Sequence, residues 1–156
     1  MESEQMKATI TIDAPTDAVF AVLADPAAHA AIDGTGWVRA PIDPAPLTEV
    51  GQMFRMAMYH ENHPDKHYEM ANRVEVVDPP RAIAWQPGQA SPDTGEIGFG
   101  GWTWRYDLEP AGAAQTAATL TYDWSGASPE VREFIHFPPF AQAHLDNSLQ
   151  HLADLL

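Results

Sequence analysis

The chain has 156 residues and no cysteine, and its 8 basic side chains face 22 acidic ones for a formal charge of −14. That length suits one domain with a sizeable core, and the lack of cysteine excludes disulfides, thiol nucleophiles and cysteine-ligated metals. So acidic a chain is repelled by phosphate backbones and anionic membranes, which sets nucleic-acid partners aside; no apolar run approaches the roughly 18 residues of a membrane span.

The opening MESEQMKATI carries acids where a signal peptide has basic residues, so we expect no export signal and a cytoplasmic protein. Lys7 to Ile12 alternates as KATITI, a strand with Ala8, Ile10 and Ile12 on one face. Pro15 then opens a helix that buries Ala18, Val19, Val22 and Leu23, with Asp17 in the first turn where the helix dipole favours an anion. Asp25-Pro26 ends it and caps a second short helix, AAHAAID, which Gly34 stops.

From Gly36 to Gly126 glycine and proline punctuation predicts an antiparallel meander. Its strands fall near Gly36–Ile42, Gln52–Glu61, Lys66–Val77, Ala82–Gln86, Gly101–Glu109 and Thr116–Ser125. Pro87 to Gly100 reads as a long loop. Alternation gives each strand an inner face. It carries Phe54, Met56, Met58 and His60, then Tyr68, Met70, Asn72, Val74 and Val76, then Ile83 and Trp85. Trp102, Trp104, Tyr106 and Leu108 follow, then Ala118, Leu120, Tyr122 and Trp124. Arg55, Arg73, Glu75, Arg105 and Asp107 fall on the outer face.

The chain closes with FPPFAQAHLDNSLQHLADLL. Pro138 and Pro139 suit a first helical turn, where a missing N–H costs nothing. Ala141, Leu145, Leu149, Leu152 and Leu156 then recur at helical spacing as one apolar stripe, with Ser148 and His144 at its border. This helix needs an apolar surface to cover, and the strands supply one.

Strand, two short helices, meander, long C-terminal helix: this order resembles the helix-grip fold of the START-like (SRPBCC) superfamily, which includes polyketide cyclases and dehydratases, lipid-transfer domains and pollen-allergen-type carriers. The stretches ITIDAPTDAVFAVLADP, VEVVDPPRAIAW, YDWSG and FPPF…LDNSLQHLADLL carry the resemblance, over nearly the whole chain. It implies an α+β fold in which a seven-stranded curved antiparallel sheet wraps around the C-terminal helix and leaves a cavity for an apolar ligand. None of these stretches is a catalytic motif, and the fold alone does not decide function.

Phe54, Met56, Met58, Met70, Asn72, Trp85, Trp102, Trp104, Tyr106, Tyr122 and Trp124, with Leu145 and Ser148 from the helix, are therefore the expected ligand-binding residues. Aromatic and methionine side chains shape such a site, and Tyr O–H or Trp N–H groups orient a polar end. A solid core would use the same residues. His60, Tyr68 and His144 are the candidates for acid–base chemistry, because imidazole titrates near neutrality. His29, His136 and His151 read as surface residues or as satisfied locally. Strand parity gathers the loops His60–His67, Pro87–Gly100 and Gly126–Phe137 at one end, the expected cavity mouth.

The run YHENHPDKHYE offers His60, His63 and His67 beside Glu61, Asp65 and Glu69, but Pro64 interrupts it and the spacing matches no zinc pattern, so we expect a polar hairpin tip, no metal and no cofactor. Nucleophile-elbow, phosphate-loop and dinucleotide motifs are missing. Three functions remain: a binder of a small hydrophobic or aromatic molecule, a cyclase/dehydratase-type enzyme using the same cavity, and an acidic module for a protein partner. The expected state is a monomer, or a homodimer through sheet edges.

Overall fold

A computed structural model describes residues 4–33, 37–60, 66–91, 94–134, 137–138 and 140–156. Strand β1 (Gln5–Ile12) runs antiparallel to β8 (Gln115–Asp123), with Gln5 opposite Asp123 and Ile12 opposite Thr116. The others are β2 (Val38–Pro41), β3 (Met53–Tyr59), β4 (His67–Asp78), β5 (Ala82–Ala90), β6 (Ile97–Phe99) and β7 (Thr103–Gly112). They form one antiparallel sheet in the order β1-β8-β7-β5-β4-β3-β2, with β6 paired to β5 off that path.

Seven strands stand where alternation predicts them. The eighth, β6, lies in the stretch expected to be a loop. Strand β5 continues past Gln86 because Pro87 falls between its pairing with β7, which ends at Trp85, and its pairing with β6, which begins at Gly88. A missing N–H is tolerated in such a gap. At Gly88 a Cβ would lie 2.9 Å from the carbonyl of Gly98, so only glycine admits β6 at this distance.

A bulge shifts the β4–β5 register between Val74 and Val76. The inner face therefore passes from Val74 to Val77, which packs against the core opposite Ile83, and the expected inward Val76 is moved off it.

Helix α1 (Thr16–Leu23) follows Pro15 and buries Val19, Phe20 and Leu23, with Ala18 and Val22 half-buried against the core; Phe20 is the addition to the expected face. Asp25 accepts a hydrogen bond from the Ala27 N–H at 3.0 Å and holds a 3-10 turn, Pro26–Ala28. Helix α2 (His29–Asp33) continues from it. The expected stop at Gly34 and the strand start at Gly36 lie outside the described residues.

Helix α3 (Pro129–Phe134) was expected to be loop. Ser128 Oγ accepts from the Val131 N–H at 3.2 Å as an N-terminal cap, and Arg132 donates to the carbonyls of Ala127 and Trp124 at 3.0 and 3.1 Å.

The C-terminal helix, α4, spans Gln142–Asp154 and so begins after the proline pair, not on it. Pro139 lies outside the described residues. Ala141 is an exposed, extended N-cap and Leu156 is exposed beyond the last turn, which leaves Leu145, Leu149 and Leu152 as the buried stripe. The helix covers less of the sheet than expected. It lies along β1 and β8 and against α2, with Gln142 donating to the Lys7 carbonyl at 2.7 Å and His151 Nδ1–H donating to the Ile32 carbonyl at 3.0 Å. Among the described residues no helix is long and apolar enough to cross a membrane.

Candidate functional site

Because α4 keeps to the β1–β8 side, α2 has only five residues and α1 packs against β5, β7 and β8, much of the inner face of β3, β4, β5 and β7 has no helix over it. The space above them is a cavity of about 660 Å³, within the usual range for small-molecule sites. Its deep end is made by buried residues, among them His29, Asn72, Tyr106, Leu120 and Ser148. Exposed Gln89 and Gly98, with half-buried Phe99, Gly100 and Val131, form the open side. These come from Pro87–Gly100 and Gly126–Phe137, two of the three loops that parity brings together.

Of the expected binding residues, Met56, Met58, Met70, Asn72, Trp85, Trp102, Trp104, Tyr106 and Ser148 border this cavity, as do Tyr68 and His144. Four lie elsewhere. Phe54 is 1% exposed and sits edge-on beneath His29 and Trp85, at ring distances of 5.7 and 5.9 Å. Tyr122 packs between Trp104 and Phe140 at 4.6 and 4.9 Å. Trp124 stacks on Phe137, and Leu145 is fully buried under α4. All four have the correct parity, but each is covered by another side chain before it reaches open space. His60 does not border the cavity either; its ring lies 5.0 Å from Trp37, past the end of β3. His63 and the rest of residues 61–65 lie outside the described residues, as does His136.

Strand alternation missed the contribution of the short helices. His29, Ile32 and Asp33 all border the cavity. Their i, i+3, i+4 spacing puts them on one face of α2, so a helical signal for them was present in AAHAAID. Trp37 and Phe140 stand outside any regular element, and no periodicity nominates them.

His29 is buried, and its Nε2–H donates to the Leu23 carbonyl at 2.8 Å, which leaves Nδ1 as the lone-pair nitrogen. Burial pushes its pKa below that of free imidazole, opposed by the Leu23 bond and the Asp25 charge. Its ring stacks on Trp85 at 4.9 Å.

His144 stacks on Phe140 at 4.5 Å and on Trp37 at 5.8 Å. Its Nε2 is 3.7 Å from Asp33 Oδ1, with side-chain exposures of 12% and 15%, so the two are electrostatic neighbours beyond hydrogen-bond reach. Burial lowers the His144 pKa, the Asp33 carboxylate opposes that, and His151 adds to it. Burial and then Asp33 raise the pKa values of Tyr68 and Tyr106, so both phenols stay protonated and can donate. Asn72 donates to the Phe54 carbonyl at 3.4 Å.

A curved antiparallel sheet, a C-terminal helix gripping one side of it and an apolar chamber between them define a helix-grip protein. The chain belongs to the polyketide cyclase / dehydrase and lipid transport family, whose profile matches residues 3–156. This is a hydrophobic-ligand-binding fold. Uncharacterized protein Rv0088 of Mycobacterium tuberculosis is 26% identical over 151 residues, a match covering 94% of this chain. The chain spans about 61% of the length of that relative. Among solved structures, protein Ms6760 from Mycobacterium smegmatis superposes with a TM-score of 0.67 at 17% identity, covering 98% of this chain and 90% of that one. The Zhui aromatase/cyclase from Streptomyces sp. R1128 gives 0.65 at 18% identity, covering 97% and 92%. At these identities the structures share the fold.

Proposed function

We propose that the chain binds a small hydrophobic or aromatic molecule in the cavity between the sheet and the C-terminal helix. The observation that carries this reading is about 660 Å³ of space walled by Met56, Met58, Met70, Trp37, Trp85 and Trp104 in a chain with ample apolar side chains to fill it. Apolar walls with a few convergent polar groups are the usual composition of a binding pocket. Asn72, Ser148, Tyr68 and Tyr106 are those groups here.

Native mass spectrometry of the purified protein tests this directly, together with titration of the neutral fluorescent probe N-phenyl-1-naphthylamine. The expected results are a co-purified small molecule, or saturable probe binding at one site, and loss of binding when Met70→Trp fills the space. Neither adduct nor probe binding would overturn the reading.

A second reading is favoured by the Asp33–His144 pair at 3.7 Å, with Tyr68 bordering the same cavity. In that reading His144, neutral at pH 7, takes a proton during ring closure or dehydration of the ligand, as a base beside a carboxylate does. His144→Ala would then keep ligand binding and lose turnover. Equal loss of both would assign His144 to packing.

A further inference from the structure

We propose that the cavity selects a positively charged ligand, a protonated amine on an aromatic scaffold, with its cation on the side of the cavity that Asp33 lines together with Trp37, Trp104 and His144. This rests on the binding reading above and adds the charge of the ligand to it.

Charge placement carries the argument. The eight basic residues of the chain are Lys7, Arg39, Arg55, Lys66, Arg73, Arg81, Arg105 and Arg132, all within the described residues, and none borders the cavity. Arg55, Arg73, Arg105 and Arg132 pair with Asp43, Glu75, Asp107 and Glu4, and Arg39 lies over the Tyr59 ring. Asp33 is the one Asp or Glu among the described residues that line the cavity. It stands at the carbonyl end of α2, where the backbone dipoles add negative potential and do not offset it.

Both histidines of the wall are held toward their neutral forms by burial, so neither supplies a standing positive charge. Around the Asp33–His144 pair, Trp37 stacks on the imidazole at 5.8 Å and Trp104 approaches it at 6.0 Å. Aromatic faces are electronegative and attract cations, most strongly when water is excluded. An anion entering here would lose its hydration and meet a carboxylate with no guanidinium or ammonium in the wall. The net charge of −14 adds long-range attraction for cations.

Three naphthalene probes of one shape separate these effects by titration calorimetry at neutral pH: 2-naphthylmethylamine as the ammonium, 2-naphthalenemethanol as the neutral form and 2-naphthoate as the anion. The ammonium should bind about tenfold or more tighter than the carboxylate, with the alcohol between them. Asp33→Asn should remove the advantage of the ammonium and leave the alcohol within about twofold, because one local charge is lost and the shape is kept. Persistence of the preference in that variant would assign it to the overall charge and overturn the Asp33 seat. Carboxylate binding as tight as ammonium binding in the unaltered protein would overturn the inference while the cavity reading stands. Failure of all three probes, the neutral one included, would overturn both.

Discussion

The two sides of the sheet use the same alternation of apolar side chains and end differently. On the β1–β8 side the strands present small residues to the helix, Ala8 and Ala118, and Leu145, Leu149 and Leu152 descend from α4 to between 0% and 1% exposure. On the β3–β5 side the strands present Met56, Met58, Met70 and Trp85 to open space, with the five residues of α2 across it and α1 packed against β5 and β7. Side-chain size is not what opens the cavity, because the larger residues are on the open side. What lies above each strand decides it: a long helix with a leucine stripe closes one half, and a short helix carrying His29, Ile32 and Asp33 leaves the other open.

The sharpest way to break that contrast is to truncate one side chain in each half. Leu149→Ala removes a side chain packed on all sides, and should cost about 2–5 kcal/mol in chemical denaturation. Met58→Ala removes one that is half-buried and already borders open space, and should cost roughly 1 kcal/mol or less. Comparable costs would mean that the β3–β5 side is packed as tightly as the other.

A somewhat smaller loss is expected at the rim that joins the halves. Gly101 has φ +94°, and a Cβ there would collide with the backbone of Gly126. Gly101→Ala therefore combines a left-handed conformation with a backbone clash, and should cost on the order of 2 kcal/mol while loosening the loop before β7. An unchanged unfolding midpoint would show that the two loops can separate freely.

Most of the fold was legible because burial on one face of a strand leaves a period of two, and burial on one face of a helix leaves a stripe. The seven strands, α1 and the leucines of α4 all carry such signals. The cavity wall on the strands followed from the same periodicity, through Met56, Met58, Met70, Trp85, Trp104 and Tyr106. Periodicity gives direction without distance, so it could not separate Trp85, which borders space, from Phe54 and Tyr122, which point the same way under other rings. Trp37, Phe140 and β6 depend on how loops fold back across the sheet, which leaves no local pattern. Asp33 and His29 were readable as one face of a helix, but a five-residue helix offers a single repeat.

Acid should weigh on the cavity half. His29 and His144 both have pKa values held below the 6.5 of free imidazole, chiefly by burial. Between the folded and unfolded values the unfolded chain binds more protons, so stability is fully present above pH 6.5 and is lost as pH falls through the folded pKa values. Denaturation midpoints should fall over that window, and imidazole NMR signals of His29 and His144 should titrate below pH 6.5. Removing the Asp33 charge should lower the His144 value further, because that carboxylate opposes the effect of burial. A His144 titration at or above 6.5 would mean that the cavity half is wet enough to solvate the cation.

The smallest effect separates the two halves along a single strand. Before the β4 bulge, Tyr68, Met70 and Asn72 face the cavity; after it, Val77 faces the core opposite Ile83. Uninterrupted alternation would keep Val76 on that inner face, and the extra residue at the bulge hands the position to Val77. Val77→Ser should therefore cost about 1–2 kcal/mol in urea denaturation, from the loss of two methyl groups and the placing of a hydroxyl against the core. Val76→Ser, on the other face, should cost at most a few tenths of a kcal/mol. The reverse order would mean that β4 keeps its alternation straight through, so that the strand lining the cavity and the strand closing the core are in one register.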